Sequence, residues 1–128
     1  MSFFKNIFGA SETEKPASQL NWNHLEDLGQ LDEVIQVSTT KPVLIFKHST
    51  TCSISRMAFK NFENEFDLAS EIDIYYLDLL NFRAISNEIA SRFSVIHQSP
   101  QILLIKNGVS VYNTSHENID AAKLKELF

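Results

Sequence analysis

The sequence predicts an α/β fold, a mixed sheet of four to five strands with helices on both faces. Three observations carry this. Two apolar runs, residues 43–46 (VLIF) and residues 72–80 with Ile74, Tyr75, Tyr76, Leu77 and Leu79, leave almost no polar side, as in strands buried on both faces. Helical stripes follow each run: Ile54, Ala58, Phe62 and Phe66 after the first, and Phe82, Ile85, Ile89 and Phe93 after the second. Finally, Asn107-Gly108 separates two short apolar runs. A type I′ hairpin turn favours that pair because both its central residues need positive φ. The strand–helix alternation requires parallel strands with crossover helices, and the hairpin adds an antiparallel pair.

Taken in order, residues 1–9 are an apolar turn with Phe3, Phe4, Ile7 and Phe8 on one side and Lys5 in its middle. The interruption at Lys5 argues against a signal peptide, and three readings stay open: the stretch caps the domain, frays, or makes weak membrane contact through residues 3–8. Residues 10–19 read as a polar linker with Pro16 near its end, so residues 1–19 are set apart from a single domain over 20–128. Residues 22–25 suit a short edge strand. Leu31, Val34, Ile35 and Ser38 follow helical spacing, with Asp32 and Glu33 in the first turn where the helix dipole favours acids. Pro42 introduces the first buried strand. Ser49, Thr50 and Thr51 read as a helix start, and the helix itself begins at Cys52. Its acidic run, Glu63, Glu65 and Asp67, reads as a solvated face. Residues 101–106 and 109–112 form the hairpin. A closing helix is expected over 118–128 from Ile119, Ala122, Leu124 and Leu127. The order is β-α-β-α-β-α-β-β-α.

Composition excludes several functions. A chain of 128 residues with 44% apolar residues, 10 Phe, 3 Tyr and 1 Trp fills one core, so global disorder is excluded. A net charge of −5 disfavours nucleic acid as a partner. No apolar run approaches the roughly 20 residues of a membrane-spanning helix. A single cysteine, Cys52, excludes an internal disulfide and any multi-thiolate metal cage built by one chain. His24, His48, His97 and His116 show no ligand spacing, so no metal site is expected. The three glycines form no phosphate loop. A folded, acidic, cytoplasmic domain is the expectation.

The chemistry then converges on Cys52. It stands between a buried strand and a helix N-terminus, and ligand sites in open α/β sheets lie beyond the carboxyl ends of the strands. The helix dipole and the free N–H groups of the first turn favour a thiolate there. Thr50, Thr51, Ser53 and Ser55 form a polar collar that is hard to bury, which separates this residue from an ordinary core cysteine. Lys47, His48 and Arg56 are cationic neighbours in sequence that offer electrostatic support. A second feature, Ser99-Pro100 ahead of a buried strand, reads either as punctuation at the strand start or as a cis peptide.

These residues carry a family resemblance. Residues 41–58 (KPVLIFKHSTTCSISRMA) resemble the active-site strand, loop and helix of thioredoxin-fold proteins, and residues 93–108 (FSVIHQSPQILLIKNG) resemble the segment holding their cis-proline. The KHST-x-C-x-IS pattern, with Trp22 upstream, resembles the monothiol bacilliredoxin-like proteins of the bacillithiol system, over about residues 20–128. The resemblance implies that Cys52 is the redox cysteine and Pro100 the cis-proline. Ser55 stands where dithiol thioredoxins have their resolving cysteine, and Phe46 where they keep a buried aspartate. Both departures disfavour an autonomous dithiol reductase. Monothiol exchange follows instead: Cys52 takes a low-molecular-weight thiol, bacillithiol or a similar co-substrate, from thiolated client proteins. Thr51, Ser53, Ser55, Ser99 and Pro100 are the candidate thiol-binding or activating residues. No tightly bound cofactor is expected, and a monomer is. The alternative is a thioredoxin-fold sensor or binding module modified once at Cys52. A carrier sharing an iron–sulfur cluster across a dimer is disfavoured, since Ser53-Ile54 replaces the usual Gly-Phe.

Overall fold

A computed structural model describes residues 20–127. The expectations for residues 1–19, including the apolar turn at 3–8, lie outside the described residues. The elements are β1 (Asn23–His24), α1 (Gln30–Val37), β2 (Val43–His48), α2 (Ser53–Glu65), β3 (Asp73–Asp78), α3 (Arg83–Arg92), β4 (Gln101–Lys106) and β5 (Val109–Ser115). Two 3₁₀ turns follow, His116–Asn118 and Ala121–Leu127. The strands form one mixed sheet in the order β1-β3-β2-β4-β5. β2 runs parallel to β3, with Val43 opposite Asp73 and His48 opposite Asp78. It runs antiparallel to β4, with Lys47 opposite Gln101.

Every residue of β2 is buried, as its uninterrupted apolar run requires of a strand covered on both sides. Alternation along the strand then divides the core. Val43 and Ile45 join Leu31 and Val34 of α1 and Ile85 and Ile89 of α3 on one face. Leu44 and Phe46 join Phe62 of α2 and Leu124 of the tail on the other. The hairpin turn has Asn107 at φ 51° and Gly108 at φ 78°, as the sequence requires. Ser38 fastens it to the end of α1, its hydroxyl accepting the Gly108 N–H at 2.8 Å while its carbonyl accepts that of Asn107 at 2.8 Å.

Four expectations are corrected. The closing α-helix is a 3₁₀ segment, because Ala121, Leu124 and Leu127 pack inward at a spacing of three, the repeat on which 3₁₀ side chains eclipse. The edge strand shrinks to two residues, since Trp22 turns into a cluster with Phe46, Phe59, Phe62 and Tyr76. The acidic run is not wholly solvated: Glu63 is half-buried and accepts the Trp22 indole N–H at 2.8 Å. The hydroxyl triplet does not open α2. Residues 49–52 close a turn, with the Cys52 N–H bonded to the Ser49 carbonyl at 3.2 Å, and the helix starts at Ser53.

Candidate functional site

Cys52 occupies the N-cap of α2 in extended backbone (φ −98°, ψ 124°), just beyond the carboxyl end of β2. It is partly exposed. No hydrogen bond to its sulfur is present among the described residues. Thr51 and Ser53, on either side, are exposed. The antiparallel pairing of β2 with β4 brings Pro100 to this same end of the sheet, since the next residue, Gln101, lies opposite Lys47. The Ser99-Pro100 peptide is cis. Pro100 is buried, its carbonyl accepts the His116 N–H at 3.1 Å, and the Ser99 hydroxyl is buried without a hydrogen-bond partner among the described residues.

The sequence neighbours of Cys52 separate in space. Lys47 and His48 are consecutive on β2, so alternation sends them to opposite faces. Lys47 is fully buried on the α3 side, its Nζ donating to His97 Nδ1 at 2.9 Å. Burial pushes its ammonium down to about 8. It anchors the segment leading to Pro100. The Arg56 guanidinium donates to the Thr50 carbonyl at 3.3 Å and so braces the turn before Cys52.

His48 and Ser55 are brought together on the α2 side. His48 Nδ1 lies 2.7 Å from Ser55 Oγ, which also accepts the Ser49 N–H at 3.0 Å. Ser55 is fully buried. Its hydroxyl, expected to bond the sulfur, instead ties the strand end and the turn to the first turn of α2. Burial lowers the basicity of His48, Asp78 opposes that and Arg56 adds to it.

Beyond the thiol, α2 and the turn after β5 enclose a groove of about 300 Å³ lined by Ser53, Ile54, Met57, Asn61, His116 and Glu117. Ile54 and Met57 are 60% and 67% exposed. The apolar stripe that buries Phe62 and Phe66 therefore emerges into solvent beside Cys52, and Ile54 does not join the core as its spacing suggested.

Gln101 escaped the sequence reading. It is buried, and its amide donates to the Ile96 carbonyl at 2.9 Å while accepting the Gln98 N–H at 3.3 Å, which pins the loop before Pro100. The available signal was a polar residue at the head of a strand without a polar face. His97, set aside as a lone histidine, has the same role through Lys47 and through Ser86, whose Oγ lies 3.3 Å away.

Comparison with solved structures agrees with this arrangement. A chain described as a candidate oxidoreductase with a thioredoxin fold is 34% identical, covering 81% of this chain and 90% of its own, with a TM-score of 0.70. The thioredoxin of Malassezia sympodialis is 19% identical over 88% of this chain and 92% of its own, with a TM-score of 0.66. That of Fasciola hepatica is 19% identical over 82% and 94%, with a TM-score of 0.62. A single thiol at this helix end makes the molecule a thiol-redox protein of thioredoxin fold that has no resolving cysteine. Within that class the match is specific. The family model for Monothiol bacilliredoxin BrxC matches residues 23–124, and the chain belongs to that family.

Proposed function

We infer that this chain transfers a low-molecular-weight thiol, bacillithiol or a close analogue, away from modified protein cysteines through Cys52. The observation that carries the reading is the pairing of a partly exposed lone cysteine at the start of α2 with a buried serine three residues on. A disulfide formed at Cys52 has no internal thiol to resolve it, so a second molecule must complete the reaction.

The steps balance without an external oxidant. The Cys52 thiolate attacks the small-thiol sulfur of a client disulfide, forming a bond to Sγ. The client's sulfur–sulfur bond breaks, and its cysteine leaves as a thiolate that takes a proton. A second small thiolate then attacks the adduct, releasing the small-thiol disulfide and restoring the Cys52 thiolate. Thr51 and Ser53 flank the reacting sulfur, and Ser99 and Pro100 form the opposite lip on which the adduct rests. The co-substrate is diffusible, and the cytoplasm is the compartment that suits a reduced lone thiol. Among the described residues no helix is long and apolar enough to cross a membrane.

The test is release of small thiol from a client protein carrying it, with the client and free small thiol in large excess over the chain. Many releases per chain are expected. One release per chain followed by arrest would instead identify a sensor that is modified once.

A further inference from the structure

The sequence lacks the buried acid that thioredoxins keep beneath their active site, and Phe46 stands in its place. The structure puts a different titratable group on the same face. Phe46 and His48 are two residues apart on β2, so both face α2. The imidazole stacks on Phe59 at 4.9 Å and lies against the rings of Phe46 and Tyr76 at 6.3 and 5.7 Å. Through the 2.7 Å contact with Ser55 it reaches the first turn of α2, three residues from Cys52. Cys52 is the N-cap and Ser55 the third residue of α2, the two positions that a capping box brings together across the first turn.

The groups facing His48 are identifiable. Asp78 stands opposite it on β3, and its Oδ1 is buried without a hydrogen-bond partner among the described residues. Arg56 acts on it from α2. Tyr76, also on β3, is held protonated across the neutral range, its phenol pushed up to about 12 chiefly by burial. With burial pushing the imidazole down, His48 is neutral at pH 7.

A hydroxyl has one proton to donate. With neutral His48 carrying its proton on Nε2, Ser55 donates to Nδ1 and accepts from the Ser49 N–H. With His48 charged, the Nδ1–H donates to Ser55 instead. Both lone pairs of the serine oxygen are then filled, and its O–H is released toward the start of the helix. We propose that His48 and Ser55 form a proton-coupled switch behind Cys52: His48 takes up the proton that leaves the thiol, and the Ser55 hydroxyl turns from His48 to the sulfur left behind. An S–H bond breaks, an N–H bond forms at Nδ1, and no electrons are exchanged. Once the thiolate has attacked a disulfide, the imidazolium proton is available to the client thiolate that departs. His48 and Ser55 are positioning residues here, acting on Cys52 without contacting the client. The proposal rests on Cys52 being the reacting thiol but not on which small thiol it carries.

The test uses the full chain and iodoacetamide, which reads Cys52 ionisation without any disulfide chemistry. Alkylation rates are measured from pH 5 to 9 for the native chain and for His48→Gln, which retains an acceptor for Ser55 but cannot titrate. In parallel, the His48 ring is titrated by NMR in the native chain and in Cys52→Ser. A positioned acid–base group acting directly contributes at least about 100-fold, and one acting through a hydroxyl less, so we expect a loss of about tenfold at pH 7 in His48→Gln. The native profile should show two coupled inflections and the variant one. The His48 titration should move when Cys52 is replaced. Profiles of equal shape and rate in native and His48→Gln chains would overturn the proposal. If that variant does not fold, an unchanged His48 titration in Cys52→Ser overturns it equally. Loss of small-thiol exchange with the two-inflection alkylation profile intact would instead overturn the functional reading and leave the switch standing.

Discussion

Replacing Cys52 with serine is expected to abolish catalysed release of small thiol, a fall of at least about 1000-fold to the uncatalysed rate. Serine presents an un-ionised hydroxyl where the reaction needs a thiolate, and removing a nucleophile is among the most costly single changes to a catalytic site. No other residue takes over, because Cys52 is the one cysteine in the sequence. Stability should change by no more than about 0.5 kcal/mol, since the side chain is partly exposed and sulfur-to-oxygen exchange leaves no cavity. Release rates and thermal melting of the same preparation separate the two effects. A variant that melts like the native chain yet retains release would place the chemistry elsewhere.

The second large effect concerns the floor of the site. Phe46→Ala should destabilise the fold by about 3–5 kcal/mol, the usual range for removing a fully buried aromatic ring. Phe46 is fully buried and meets Phe59 at 5.1 Å, Phe62 at 5.5 Å and Trp22 at 6.1 Å, all three edge to face. These rings belong to α2 and to the entry into β1, so collapse into the cavity would have to move elements that other contacts hold in place. For a domain of this size the melting temperature should fall by roughly 15 °C. Because His48 leans on the same rings, the loss also loosens the clamp between β2 and α2. A drop of only 1–2 °C would show that the cluster repacks freely.

Much of this architecture was legible in the sequence, for local reasons. A run such as VLIF has no polar face to expose, so it specifies a central strand without knowledge of its neighbours. Asn107-Gly108 specified its turn because few residues accept positive φ. Cys52 was legible as a candidate because its hydroxyl-rich flanks and strand–helix junction are properties of contiguous residues.

What was not legible depends on facts that span elements. Lys47, His48 and Arg56 surround the cysteine in sequence, but strand alternation sends Lys47 to His97 on the far face, and Arg56 folds onto the Thr50 carbonyl. The link between His48 and Ser55 needs the phase of β2 and the start of α2 together. An error of one residue in either would break it. Ile54 fits the apolar stripe of α2 by spacing, yet the helix's first turn projects past the sheet and leaves it exposed. Nor does sequence report the state of the Ser99-Pro100 bond, which the structure shows as cis.

The most direct test of the central claim is the intact mass of the reduced chain after brief exposure to bacillithiol disulfide, with glutathione disulfide as the comparison. One bacillithiol adduct is expected, located on Cys52, formed faster than the glutathione adduct and removed by excess free bacillithiol. An unmodified mass after exposure to bacillithiol disulfide would contradict it.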